Sequence, residues 1–166
     1  MTYKASHDSE TPANGQQILT AGAFIHKKFN GIEKVFLPKR AVTKKFLPGI
    51  YELPGGHIDF GENMIGGLKR EVKEENEMEI NVGDPFYVFT YANKIKGSHS
   101  IEVIYFATFI NPITQIKTHP EDHSEYKWFS ENEMDEVMIN KGNSDPEFQG
   151  ILKGFSLLKG SSLNFG

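Results

Sequence analysis

Three glutamates, Glu71, Glu74 and Glu75, stand at i, i+3 and i+4 in a stretch that reads as a helix from Glu62 to Asn76. At about 100° per residue they span an arc of only about 100° on one face. The apolar stripe of Met64, Ile65, Leu68 and Val72 lies beside them. Like charges at this spacing destabilise a helix by a few tenths of a kcal/mol per pair in water, and by more when partly buried. They also sit late in the helix, where the macrodipole prefers cations. A divalent cation offsets both costs, because hard oxygen ligands on a rigid element suit Mg²⁺ alongside substrate phosphates. Arg70 is a second compensator, able to bridge to Glu62.

Two more features set this stretch apart from a solvated acidic face, the ordinary meaning of a charge run. Gly66 and Gly67 each cost about 1 kcal/mol relative to alanine inside a helix. Gly67 falls on the carboxylate face one turn earlier, as if a ligand or another backbone comes close there. Ahead of the helix, Gly55-Gly56 forms a tight turn.

Together these residues resemble the Nudix box, with Gly56, Glu62, Arg70, Glu71, Val72, Glu74, Glu75 and Met78 in register. A fixed spacing over more than twenty residues with several charged identities is a specific signal. One position departs: Glu77 stands where the family usually has glycine, and Asn76 is the residue expected to take its left-handed turn. The flanks Tyr51–Gly56 and Glu125–Ser130 also look like the family's strand-to-loop approach and its late strand running into a helix.

The resemblance implies a Nudix-type α/β/α sandwich with a mixed sheet. It also implies an Mg²⁺-dependent hydrolase, with Mn²⁺ an acceptable substitute. Its substrate would be a small nucleoside diphosphate linked to another group, such as a nucleoside triphosphate or a nucleotide sugar. Glu74 and Glu75, with the Gly55 or Gly56 carbonyl, would hold the metal. Glu71 would share that site and orient or deprotonate the attacking water, while Glu62 and Arg70 hold the frame. An extra carboxylate from a late loop is expected, with Glu125 preferred over Glu121. The alternative is a non-catalytic nucleotide-binding or regulatory domain, which typically lacks the box glutamates. A prenyl diphosphate isomerase on the same fold would want a cysteine, and the chain has none.

Other candidates carry weaker signals. Arg40 and Lys39 end a strand where proteins similar to the Nudix family often place a phosphate-binding cation, with Lys44 and Lys45 following. His57 reads as loop filler. His119 and His123 flank Pro120, and lone loop histidines are usually neither ligand nor base. Phe86, Tyr87, Phe89 and Tyr91 alternate faces, one for the core and one able to stack a base. Trp128 reads as core.

The elements positioning these groups are strand-rich. Ile18–Ile25 and Glu33–Leu37 flank Asn30-Gly31, a strong hairpin signal. A third strand is expected at Ile50–Leu53, and an antiparallel pair at Asn81–Tyr91 and Ile101–Ile110. A short strand at Tyr126–Phe129 leads to Ser130, an N-cap with Glu133 at the capping-box position. A last amphipathic helix covers Asp145–Lys159.

With 166 residues, the chain reads as one domain over 18–166 behind a flexible lead-in, 1–17. A net charge of -4 disfavours nucleic-acid polymers. Absent cysteines fit a reducing compartment. Met1–Gln17 lacks the apolar segment of a secretory signal, and no apolar run reaches a membrane span. The expectation is a cytoplasmic enzyme with no membrane partner, with room for a homodimer.

Overall fold

The computed structural model describes residues 9–160. Strand β1 (Gln17–Phe29) and β2 (Ile32–Arg40) form the expected hairpin, and Asn30 and Gly31 both take positive φ (50° and 80°). Two left-handed residues in succession match the right-handed twist of the flanking strands, which is why Asn-Gly suits this turn. Strands β4 (Ile80–Asn93) and β5 (Ser98–Phe109) form the second antiparallel pair. β1 runs parallel to β5, and β6 (His123–Ser130) pairs antiparallel with β2. The resulting order is β4-β5-β1-β2-β6, with short β3 (Gly55–His57) on β1.

Alternation along β1 divides the core. Ala21, Ala23 and Ile25 face helix α1 (Met64–Asn76), joining Leu68, Val72 and Met78. Phe24 faces the other way, toward α3 (Pro146–Leu158), and packs with Ile104, Phe148, Ile151 and Phe155. The mixed sheet with helices on both faces is therefore present. Asp145 caps α3 by accepting the Phe148 N–H at 2.9 Å, and Ser130 and Glu133 form the capping box that precedes the short α2 (Met134–Met138). Among the described residues no helix is long and apolar enough to cross a membrane.

Three local expectations change. The paired strand lies at Gly55–His57, and Ile50–Leu53 contributes a single bridge, Tyr51 to Lys39. A Cβ on Gly55 (φ 145°) would overlap the Ala21 carbonyl, so the glycine lets this segment close on β1. The lead-in is docked from Ser9 onward. The Ala13 N–H reaches the Lys96 carbonyl at 2.8 Å, the Gly15 N–H reaches Gly97 at 2.9 Å, and Ala13 is buried. Met1–Asp8 lie outside the described residues.

At the end of α1, the left-handed position is taken by Glu77 itself (φ 55°, ψ 30°), while Asn76 remains the last helical residue and is fully buried. A non-glycine residue in this region costs about 1–2 kcal/mol. The exposed Glu77–Lys117 pair at 3.8 Å returns little of that. Glu77→Gly is expected to stabilise the protein by roughly 0.5–1 kcal/mol, after allowance for the looser unfolded chain. A urea midpoint that stays put or falls contradicts this.

Candidate active site

Helix α1 starts at Asn63, whose side chain accepts the Ile65 and Gly66 N–H groups at 3.0 and 3.1 Å. This fixes the helix phase, so Arg70 reaches back over the preceding loop. Its guanidinium donates to both Glu62 oxygens (2.8 and 3.0 Å), Glu71 (2.8 Å), Glu74 (3.2 Å) and the His57 carbonyl (2.9 Å). Glu62 in turn accepts the Asp59 N–H at 2.9 Å. The hydrogen bonds that Arg70 donates to Glu62, ahead of the one it donates to Glu71, hold its proton more tightly than usual. A planar fork with several fixed donors suits this geometry, and a single ammonium does not.

The residues expected as ligands, Gly55, Gly56, Glu71, Glu74 and Glu75, all border one cavity. Glu71 is 7% exposed and lies against Gly56, where an added Cβ would sit 2.6 Å from its carboxylate. Glu75 accepts the Gly55 N–H at 3.3 Å. Burial, then the charges of Glu52 and Glu71, push the Glu75 carboxyl well above the usual carboxylate range. Glu74 is half exposed at the rim. Among the described residues no three histidine, aspartate or glutamate groups converge as a finished metal cage. The donor set still fits a hard divalent ion. Crowded oxygens raise one another's proton affinity, and a cation relieves that as a proton does.

These groups border a cavity of about 550 Å³. Its wall includes Glu52, Glu71, Glu74, Glu75, Glu102, Asp122, Asp145 and Glu147 against Arg40, Lys44, Lys96 and Lys141, so carboxyls outnumber these cations about two to one. Sequence reasoning had no hold on Glu52, Glu102 or Glu147, which come from separate elements. Nor did it find the position of His123. That side chain is 3% exposed, and its Nε2 lies 2.9 Å from Glu52 and 3.7 Å from Glu75. Burial raises the Glu52 carboxyl, but Arg40 and His123 together outweigh it and hold Glu52 below the usual range.

The two basic candidates separate. A bulge between Lys39 and Arg40 in the β2–β6 pairing accompanies the split. Arg40 borders the cavity, but its guanidinium is engaged by the Phe46 carbonyl (3.0 Å), Glu52 and Ser9. It therefore clasps the 41–50 loop as well as lining the site. Lys39 points elsewhere and lies 3.8 Å from Glu125. Glu125 is half exposed, accepts the Tyr51 hydroxyl at 2.6 Å and does not border the cavity. Burial and Glu125 raise the Tyr51 hydroxyl to about 12. Glu121 is exposed, and its neighbour Asp122 borders the cavity instead, paired to Lys44 at 2.9 Å.

Gly67 also differs from the expectation of an approaching ligand. An added Cβ there would meet Ile58 at 2.7 Å and the Glu62 carboxylate at 2.8 Å. Close packing explains this glycine. Gly67→Leu is therefore expected to cost about 2–3 kcal/mol through overpacking, and a thermal melt superimposable on that of the unsubstituted protein contradicts it.

The sequence profile of the NUDIX domain matches residues 18–148. The chain belongs to this family. An uncharacterized Nudix hydrolase, all7351 from Nostoc sp., is 32% identical over 54 residues, which cover 32% of this chain and 32% of that relative. Among solved structures, a Caenorhabditis elegans Ap4A hydrolase binary complex has a TM-score of 0.66 at 22% identity, covering 87% of this chain and 99% of the other. The NUDIX domain of Shewanella oneidensis NrtR complexed with ADP ribose has a TM-score of 0.64 at 21% identity, covering 86% and 89%. At these identities the structural likeness establishes the Nudix fold. Helix α1 is its Nudix helix.

Proposed function

We propose that this Nudix protein is an Mg²⁺-dependent pyrophosphohydrolase, with Mn²⁺ an effective substitute, acting on a small nucleotide such as a nucleoside triphosphate or nucleotide sugar. The observation that carries this reading is the Arg70-clasped carboxylate helix opening onto an acid-rich cavity beside the Gly55-Gly56 backbone. A polyanionic diphosphate is repelled by such a wall unless divalent cations accompany it.

Glu74, Glu75 and Glu71, with a carbonyl of Gly55 or Gly56, would hold the ion. When bound, it supplies charge neutralisation at the diphosphate oxygens and a lower pKa for coordinated water. Glu71 orients the attacking water and accepts its proton. Arg70 and Glu62 keep Glu71 and Glu74 in place, so little reorganisation is needed as charge develops. Arg40 lines the same cavity and adds positive charge near the phosphates. Glu125 has no role in this reading, given its pairing with Tyr51 and Lys39 outside the cavity.

A second reading, nucleotide binding without turnover, draws support from Arg70, which already neutralises Glu71 and Glu74. The two separate in one experiment. Nucleoside triphosphates, nucleotide sugars and dinucleotides are incubated with Mg²⁺ or EDTA, and phosphate, pyrophosphate and nucleoside monophosphate are quantified. Mg²⁺-dependent release supports hydrolysis; binding by calorimetry with no release from any of them supports the second reading.

A further inference from the structure

The cavity wall on β5 carries a polar group that the proposed hydrolysis does not use. Glu102 pairs across the sheet with Phe89 on β4 and with Thr20 on β1, and Tyr91 pairs with Ser100 two positions along. All of them border the cavity. Glu102 is 9% exposed. Its Oε1 accepts the Thr20 hydroxyl at 3.2 Å, while Oε2 has no hydrogen-bond partner. A buried polar oxygen without a partner is costly, and turning the carboxyl toward a ligand that supplies one relieves that cost. The terminal torsion of glutamate is broad, so either oxygen can turn toward a ligand.

Burial, followed by the charge of Glu147, raises the Glu102 carboxyl well above the usual range. Lys141 opposes this, but its ammonium is already engaged by Glu147 at 2.8 Å and Asp145 at 3.6 Å. A neutral carboxyl presents a donor beside an acceptor. That pattern complements a ring N–H next to a carbonyl, or an amino group next to a ring nitrogen. The aromatic neighbours Phe89 and Tyr91 offer flat apolar surface to the same ligand.

We propose that Glu102 determines which heterocycle the cavity accepts: its carboxyl, anchored by Thr20, hydrogen-bonds the polar edge of a planar base lying against Phe89 and Tyr91. This rests on the reading of the cavity as a nucleotide site. A site built to hydrogen-bond a substrate edge discriminates strongly against a partner that leaves it unpaired.

The test measures kcat and KM with Mg²⁺ for the four nucleoside triphosphates and for base-free ribose 5′-triphosphate. Glu102→Gln keeps a donor and an acceptor, so KM for the preferred nucleotide should stay within about threefold. Glu102→Leu should raise that KM about 10–100-fold, leave kcat within about threefold and flatten the order of preference. The base-free compound should be hydrolysed alike by all three. Should Glu102→Leu fail to fold, Thr20→Val is read instead, with an expected KM increase of several-fold. An unchanged order of preference in Glu102→Leu overturns the proposal, as does an unchanged KM in Thr20→Val. So does a glutamine variant as impaired as leucine, or an equal loss on the base-free compound. Failure of the unsubstituted protein to hydrolyse any nucleotide overturns the functional reading and this inference together; hydrolysis indifferent to the base overturns the inference alone.

Discussion

Replacing Glu75 by glutamine is expected to lower turnover by at least about 100-fold while making the metal-free protein more stable. Changing a residue that merely orients a metal ligand costs 10–100-fold, and Glu75 is proposed as a ligand itself. The stability effect has the opposite sign for an electrostatic reason. The Glu75 carboxyl is held well above its ordinary value of 4.5 by burial, Glu52 and Glu71. A carboxyl with a raised folded pKa favours folding while protonated. It loses that contribution as pH rises from about 4.5 through the folded value. Glu102 and Glu147 are raised in the same direction and add to the trend. Glutamine stays neutral and its carbonyl can still accept the Gly55 N–H, so at pH 8 without metal the variant should melt higher. Added Mg²⁺ should raise the melting temperature of the unsubstituted protein and do little for the variant. Turnover within threefold of the unsubstituted protein, or a lower metal-free melting temperature, contradicts the assignment.

Arg70→Lys is expected to cost about 100-fold in kcat and about 2–3 kcal/mol in stability, despite keeping the charge. One ammonium cannot reproduce the fork that joins Glu62, Glu71, Glu74 and the His57 carbonyl. The carboxylates left behind are partly buried and repel one another, which makes removal of one partner expensive. Because Glu62 acts through Arg70, the Glu62→Gln and Arg70→Lys effects should be far from additive in a double-mutant cycle. Additive losses, or a lysine variant with full activity, remove Arg70 from the role of frame.

What the sequence made legible was chemistry confined to one helix and its turn. Glu71, Glu74 and Glu75 share a face through helical geometry alone, Arg70 directly precedes Glu71, and Glu62 lies just ahead of the same helix, so short spacing suffices to unite them. The Asn30-Gly31 hairpin is likewise a local matter of backbone conformation. The rest of the cavity is assembled by pairing between distant strands. Glu102 joins Thr20 through a parallel β1–β5 contact, and His123 meets Glu52 only once β6 lies on β2 and the 50–53 segment crosses beside Arg40. Glu125 and Asp122 differ by three positions, yet Glu125 lies on β6 and bonds Tyr51 while Asp122, in the turn before β6, borders the cavity. Polar composition read Ser9–Gln16 as loose; backbone bonds to Lys96, Gly97 and His99 dock it.

The most direct test of the metal-dependent hydrolase is product analysis by ³¹P NMR for the preferred nucleotide. It compares Mg²⁺ with EDTA, and the unsubstituted protein with Glu75→Gln. Cleavage of a phosphoanhydride bond is expected to need Mg²⁺ or Mn²⁺ and to be nearly absent in the variant. Equal cleavage in EDTA, or undiminished cleavage by Glu75→Gln, would contradict it.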